Sequence, residues 1–338
     1  MEARADSPLL EVDELTVTFA ANGRQVVAND AVSLTVSAGE TLGIVGESGS
    51  GKSVLCRALM RLLPSPPARV TARKLSLLGT DVLALDQRGL CDIRGRDVAM
   101  IFQNPMTSLD PVQPIGDQVA EPLMLHRGLG RRAARAGAIE LLERVGIASP
   151  ATRAKEYPHQ WSGGMLQRAS IAMAVAAAPK LLLADEPTTA LDVTIQDQIM
   201  SLLLDLQRET GMALVLVSHD MGVIAESADR LAVMYAGRIV EFGRTREVFE
   251  HPAHPYSRGL LDSIPRLGEQ VPRLRTIAGQ PPDLARLGPG CAFAPRCPVV
   301  SDDCREERPS WAEAGPNHTT LCRHPDRIAA REAREAVL

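Results

Sequence analysis

The chain has 338 residues, 45% of them apolar, and a formal net charge of −4. That length supports one large α/β domain with a smaller second one, while the near-neutral balance offers nucleic acid no global attraction. The densest basic patch, RRAARA from Arg131, reads as a solvated helix face, and the best apolar stretch, IAMAVAAAPKLLLA, is broken by Pro179 and Lys180 before it reaches membrane-spanning length.

In chain order, the acidic opening MEARADSPLL lacks the apolar core of a secretory signal, so the chain is expected to stay in the cytoplasm. Leu10–Phe19 and Val26–Val36 read as β-strands joined by turn residues Ala21–Arg24. A short apolar strand, Thr41–Val45, then runs into GESGSGKS, Gly46–Ser53. This fits the phosphate-binding pattern GxxxxGKS: the glycines let backbone N–H groups curl around anionic oxygens, Lys52 reaches the outer phosphates, and the Ser53 hydroxyl suits Mg²⁺. The pattern gives a ligand class, a nucleoside triphosphate, and is shared by kinases and GTPases. Further strands are expected at Val98–Phe102, Leu181–Ala184, Ala213–Val217 and Arg230–Met234, alternating with helical patterns that include Gly116–His126 and Arg131–Val145. That alternation points to a mainly parallel sheet with helices on both faces. Leu181–Ala184 delivers Asp185 and Glu186 side by side at its polar end; Asp185 suits the metal and Glu186 the attacking water.

Between the phosphate loop and Asp185 lies WSGGMLQR, Trp161–Arg168. It resembles the signature loop of ATP-binding cassette (ABC) ATPases, and the other parts follow in that family's order: Gln103 in IFQNP, Asp192 in TALD and His219 in VLVSHD. The resemblance implies a P-loop NTPase core of the ABC type, with an antiparallel β edge from the first two strands and a helical subdomain over about 104–177. It also implies ATP and Mg²⁺ as cofactors. The ATP contacts would be Gly46, Ser48, Gly49, Ser50, Gly51, Lys52, Ser53 and Val54, with Asp192. Mg²⁺ would sit on Ser53, Gln103 and Asp185. Glu186 would polarise the water, Lys52 would neutralise charge, and His219 and Gln103 would sense the γ-phosphate. Ser162, Gly163 and Gly164 would complete the site of a second ATPase. Adenine is expected on Val26 or Val27, or on the strand backbone, since the usual aromatic is missing there. Against the commoner LSGGQRQR, this signature departs at Trp161, Met165 and Leu166, the last expected to weaken an ion pair inside the helical subdomain. Met106, Leu109, Val112 and Ile115 near Gln103 suit either a core or a cleft for a membrane subunit.

Past about Phe242 a Pro-rich, turn-rich tail begins, with HPAHPYSRGLLDSIP at 251–265 and IAGQPPDL at 277–284. The tail resembles that of dipeptide, oligopeptide and nickel importer ATP-binding subunits, which divides the chain into a cassette at 8–250 and an extension at 251–338. His251, His254 and Tyr256 read as packing residues at a domain junction. Four cysteines crowd the extension, Cys291, Cys297, Cys304 and Cys322. In a cytosolic chain such a group binds metal more readily than it forms disulfides, and four thiolates suit tetrahedral Zn²⁺ or a [4Fe–4S] cluster. The resembled branch includes members with a [4Fe–4S] cluster in this tail. Cys56 and Cys91 stand alone and read as buried thiols.

What the resemblance implies is the energy-coupling ATPase of a di- or oligopeptide importer at the cytoplasmic face of the membrane. Its partners would be two membrane permeases, a second ABC ATPase and an extracytoplasmic substrate-binding protein, with no nucleic acid. Nickel or opine import is the alternative cargo class. A soluble ABC ATPase acting on nucleic acid or the ribosome is the competing class, against which stand the neutral charge and the single P-loop without an internal repeat.

Overall fold

The computed structural model describes residues 8–21, 23–189, 191–263 and 276–328. Outside them lie most of the acidic opening, Asn22 of the expected first turn, Ala190 of the TALD segment, Ile264 and Pro265 of the HPY segment, and the end of the extension from 329. The strands are β1 (Leu10–Ala21), β2 (Arg24–Val36), β3 (Thr41–Val45), β4 (Ala68–Thr71), β5 (Lys74–Leu77), β6 (Thr80–Asp81), β7 (Val98–Ile101), β8 (Leu181–Asp185), β9 (Ala213–Val217), β10 (Arg230–Tyr235), β11 (Arg238–Arg244), β12 (Ala312–Gly315) and β13 (His318–Thr320). The α-helices are α1 (Lys52–Leu59), α2 (Gln87–Ile93), α3 (Pro105–Ser108), α4 (Ile115–Arg127), α5 (Arg131–Arg144), α6 (Pro150–Arg153), α7 (Gly163–Val175), α8 (Val193–Thr210), α9 (Met221–Ser227), α10 (Thr245–Glu250), α11 (Pro255–Asp262) and α12 (Asp303–Glu306). Every strand and helix expected from the sequence is present, with ends displaced by at most two residues.

The chain packs as two compact units, each built from separate stretches of sequence. One comprises the described residues of Leu10–Thr35, Thr41–Ser76 and the chain from Ser218 onward, so the described part of the expected 251–338 extension falls inside it. Its larger sheet runs β12-β13-β11-β10-β3, with β3 parallel to β10 and Ile44 opposite Ala232. All five residues of β3 are buried, which is why TLGIV reads as a continuous apolar run. The tail supplies the far edge of this sheet. The β12–β13 hairpin pairs onto β11, Glu241 opposite Thr320, where sequence reasoning saw only turns. The smaller sheet sets β1 between β2 and β5, with β4 also antiparallel to β1. Along β1 the buried set switches parity, from Leu10 and Val12 to Leu15 and Val17. The switch falls at Glu14, which has a left-handed φ of 51°.

The other unit comprises Pro8 and Leu9, Val36–Glu40 and the described residues of Leu77–Val217. Its strands β7, β8 and β9 run parallel, Leu183 pairing with Met100 on one side and Val215 on the other. Helices α3 to α8 belong to it. On α5, Ala134, Ala138 and Leu142 recur at four-residue spacing as the buried stripe, which leaves Arg131 and Arg132 in solvent as the composition suggested. Helix α7 is apolar on nearly all sides and is correspondingly a core helix, with Ala169, Ile171 and Ala172 fully buried. Among the described residues, no helix is long and apolar enough to cross a membrane.

Candidate functional site

The phosphate loop lies between β3 and α1. Its curl depends on two glycines. Gly46 has φ 152° and a Cβ there would stand 2.2 Å from the Met234 carbonyl oxygen; Gly51 has φ 102° and a Cβ there would meet the Ala28 oxygen at 2.6 Å. No other residue type fits either place. Gly51 is also the N-cap of α1, so the loop ends on a helix N-terminus whose unpaired N–H groups favour anions. Ser48 and Gly49 are exposed at the tip, Ser53 and Val54 are half-buried, and Ser50 is buried with its carbonyl accepting from Gly237 N–H at 3.0 Å. Lys52 is 4% exposed, and its ammonium donates to the carbonyls of Gly46 at 2.6 Å and Glu47 at 3.1 Å. The lysine is thus folded against the loop that it would cross to reach phosphate. Fully buried Asn29 of β2 donates through Nδ2 to the Gly51 carbonyl at 3.1 Å. In the same unit, His219 is exposed just after the strand residues that precede it, followed by Asp220, the N-cap of α9. Val26 and Val27, the residues expected under adenine, are half-buried on β2.

Asp185, Glu186 and Gln103 belong to the other unit, at the ends of β8 and β7. Asp185 is fully buried as the last residue of β8, paired in the ladder with Val217. Glu186 follows it with φ 49°, a left-handed conformation that costs a non-glycine residue about 1 kcal/mol or more. Its backbone N–H donates to the Val217 carbonyl at 3.0 Å. Its carboxylate accepts from Gln103 Nε2 at 3.0 Å and from the Thr189 hydroxyl at 2.8 Å. Backbone strain at a carboxylate held by two polar side chains is the pattern of a functional position rather than of a solvated acid. Gln103 and Glu186 are therefore brought together; Thr189 was not singled out in the sequence because a threonine in a turn carries no signal of its own.

The signature loop enters α7. Ser162 is its N-cap, with the hydroxyl accepting from Met165 N–H at 3.4 Å, and Ser162 and Gly163 are exposed. Trp161 is buried, and its indole N–H donates to Glu156 at 2.9 Å, which anchors the loop from below. Leu166 is 1% exposed and packs as core. Asp192 caps α8, its Oδ1 accepting from Ile195 N–H at 3.0 Å. Of the four apolar residues near Gln103, Leu109 and Ile115 are core while Met106 and Val112 are 56% and 77% exposed. The reading of Cys91 as a buried thiol is corrected: it lies exposed on α2, opposite buried Leu90 and Ile93, whereas Cys56 is buried.

In the tail, Cys291, Cys297, Cys304 and Cys322 line one cavity together with Phe293, Ala294 and Pro309. Cys291 N–H donates to the Cys304 carbonyl at 2.8 Å. Burial pushes the thiols of Cys291 and Cys297 up, and that of Cys322 up to about 11, each also raised by its neighbouring thiols. Such thiols ionise only if a cation compensates them. Among the described residues no three of the four sulfurs lie within 4.8 Å of one another; the only set so close is Asp303, Cys304 and His324. The HPY segment does more than pack. His254 is buried, its Nδ1 capping α11 by accepting from Tyr256 N–H at 3.1 Å, and buried Glu241 accepts the N–H groups of Ala253 and His254 at 2.7 and 2.8 Å. The Tyr256 hydroxyl accepts from Glu47 N–H at 2.7 Å, and Arg296 grips the Glu47 carboxylate at 2.6 and 2.9 Å. These contacts reach the phosphate loop across 209 and 249 residues of sequence, so nothing local could have announced them.

Two family models match the chain. The ABC transporter family matches residues 29–189, and the C-terminal region of oligopeptide/dipeptide transporters matches 240–304. A putative peptide import ATP-binding protein of Brucella melitensis is 49% identical over 334 residues, covering 96% of this chain and 99% of its own. The dipeptide transport ATP-binding protein DppD of Bacillus subtilis is 46% identical over 93% of this chain and 94% of its own, and the oligopeptide transport ATP-binding protein OppD of Salmonella typhimurium 47% over 94% of each. Among solved structures, a dimeric ATP-binding cassette in a post-hydrolysis state with ADP and Pi matches with a TM-score of 0.64 at 30% identity, covering 70% of this chain and 99% of that one. The glycines, buried lysine and signature helix described above therefore sit on the ABC cassette fold, and the chain belongs to the ATP-binding subunits of the oligopeptide/dipeptide branch of the ABC transporter family.

Proposed function

We propose that this chain hydrolyses ATP to power import of di- or oligopeptides through a multi-subunit transporter at the cytoplasmic face of the cell membrane. The observation that carries this is the combination in one chain of a complete phosphate loop and strained Glu186 with a tail of the oligopeptide/dipeptide type. Two membrane permeases, a second ABC ATPase and an extracytoplasmic substrate-binding protein are its partners. Exposed Met106 and Val112 beside Gln103 suit an apolar permease helix.

Phosphoryl transfer needs positioning and charge neutralisation more than covalent chemistry. The loop N–H groups and the α1 N-terminus bind the phosphates, and Lys52 turns from the Gly46 and Glu47 carbonyls to the outer phosphate. When bound, Mg²⁺ would neutralise the phosphate oxygens, and Ser53, Asp185 and Gln103 are the residues that would hold it; the buried carboxylate of Asp185 fits a cation. Glu186 takes the proton of the attacking water, and His219 reads the γ-phosphate. Ser162, Gly163 and Gly164, at a helix N-terminus with the first two of them exposed, present N–H groups to the nucleotide of the second ATPase.

The four tail thiols line one cavity, and four thiolates suit a [4Fe–4S] cluster, with a single Zn²⁺ as the alternative. When bound, the group supplies the positive charge that lets buried thiols ionise. Iron and acid-labile sulfide in the purified protein would support the cluster, and zinc without iron would overturn it.

The functional test is ATP-driven uptake of labelled dipeptide, pentapeptide and nickel by the reconstituted complex, wild type against Glu186→Gln. Peptide uptake that falls by about a hundredfold or more in the variant is the expected result. Uptake of nickel alone would overturn the peptide assignment.

A further inference from the structure

The second residue of the phosphate loop, Glu47, is held by the tail at both ends. Its N–H is taken by the Tyr256 hydroxyl, and its carboxylate by the guanidinium fork of Arg296. Tyr256 is fully buried and the Arg296 side chain is only 5% exposed. Arg296 is itself fixed from behind. Its Nε donates to the Ala278 carbonyl at 2.9 Å, Nη1 reaches the Tyr235 hydroxyl at 3.4 Å, and the guanidinium lies 5.8 and 5.9 Å from the ring centres of Tyr235 and Phe293. A part-buried, preorganised, two-point ion pair is stronger than a surface contact. Nothing in a GxxxxGKS loop requires an acid at its second position, and a free carboxylate there would oppose a bound triphosphate. The N–H taken by Tyr256 is likewise withdrawn from the phosphate cradle.

We infer that Arg296 and Tyr256 are positioning residues for the phosphate loop: they fix Glu47 and cancel its charge, so that the C-terminal extension sets the affinity for ATP. The inference rests on the ATPase reading above. It makes the extension part of the nucleotide site, although its residues touch the loop and not the nucleotide.

The test compares full-length wild type, Arg296→Ala, Arg296→Lys, Tyr256→Phe and the double variant Arg296→Ala/Glu47→Gln. The readouts are equilibrium binding of a fluorescent ATP analogue, and kcat and KM for ATP in the assembled transporter. Arg296→Ala should raise Kd and KM about tenfold, the loss of one charge-assisted pair, with kcat changed less. Arg296→Lys, which keeps the charge and loses the fork, should fall between. The double variant should recover most of the lost affinity, because no loose carboxylate remains, and raising ionic strength should shrink the Arg296→Ala deficit. An unchanged Kd in Arg296→Ala, or a double variant as weak as the single one, would overturn the inference by leaving Arg296 a mere tie between segments. If Arg296→Ala fails to fold, Tyr256→Phe decides: it removes one oxygen from the core and should raise Kd several-fold, and an unchanged value sinks the idea. Wild type that binds no ATP would instead sink the ATPase reading.

Discussion

The phosphate loop and the segment around Glu186 and the signature are built on opposite plans. Around the loop, buried groups fix nearly every turn: Asn29 on Gly51, Gly237 on Ser50, Tyr256 and Arg296 on Glu47, and Lys52 on two loop carbonyls. Glu186 is held instead by two side chains, one of them exposed Gln103, over a left-handed backbone, and Ser162 and Gly163 stand in solvent at the end of α7. A rigid backbone cradle binds phosphate with only the Lys52 side chain turning, whereas a strained acid and an open helix end can change partners. The difference separates the residues that bind from those that must respond to a ligand or to another subunit.

The severest way to break the rigid side is Gly46→Ala. The added Cβ would meet the Met234 carbonyl at 2.2 Å and the Ser50 hydroxyl at 2.8 Å, on a φ that alanine does not adopt. Backbone must move, at a cost above about 2 kcal/mol, and ATP-analogue binding should be lost altogether. A titration against Gly49→Ala checks this, since a Cβ at Gly49 meets nothing within 4 Å. Gly49→Ala carries only the backbone strain of its φ of 79° and should retain measurable affinity.

A second probe sharpens the same side through pH. Burial pushes His254 down to about 3, against about 6.5 in the unfolded chain. Between those values the unfolded state binds the proton and the folded state does not, so the contribution is intact above pH 6.5 and is lost as pH falls toward 3. Around His254 lie the Phe293 ring and buried Glu241, which accepts its N–H and an imidazole nitrogen of His318. His254→Asn preserves an α11 cap acceptor without titrating. Urea unfolding at pH 7 and 4.5 should show wild type losing more stability than the variant, by roughly 2.5 kcal/mol over that interval, at about 1.4 kcal/mol per unit below 6.5. Equal losses would show that His254 is not the group responsible.

The fold was legible wherever the hydrophobic period was clean. TLGIV, LLLAD and ALVLV read as buried parallel strands because both faces are covered, and polar residues, Thr41 and Asp185, fall only at strand ends. The phosphate loop and signature were legible because their glycines and short polar side chains answer local steric demands. What stayed hidden was long-range. The β12–β13 hairpin is a short edge whose outer residues are exposed, so it carries no apolar alternation. The Glu47 clamp joins an arginine and a tyrosine that are each unremarkable in their own segments. Cys91 was misjudged for the converse reason: a lone cysteine reads as buried by residue type, and only the helix phase set by Leu90 and Ile93 turns it outward.

The smallest expected effect tests the responsive side. If Glu186 is strained for function, relieving the strain should cost activity and not stability. Glu186→Gly removes the φ penalty of about 1 kcal/mol along with the carboxylate that accepts from Gln103 and Thr189. Those two hydrogen bonds contribute little where water replaces them, and glycine's extra unfolded-state entropy offsets part of the relief. Glu186→Gln keeps the strain, and its side-chain oxygen still serves as acceptor. Thermal unfolding should therefore find Glu186→Gly within about 1 kcal/mol of wild type and no less stable than Glu186→Gln, while both lose hydrolysis. A glycine variant clearly less stable than the glutamine one would mean that the hydrogen bonds outweigh the strain. Glu186 would then belong with the fixed residues of the phosphate loop, and the contrast between the two regions would fail at its most important side chain.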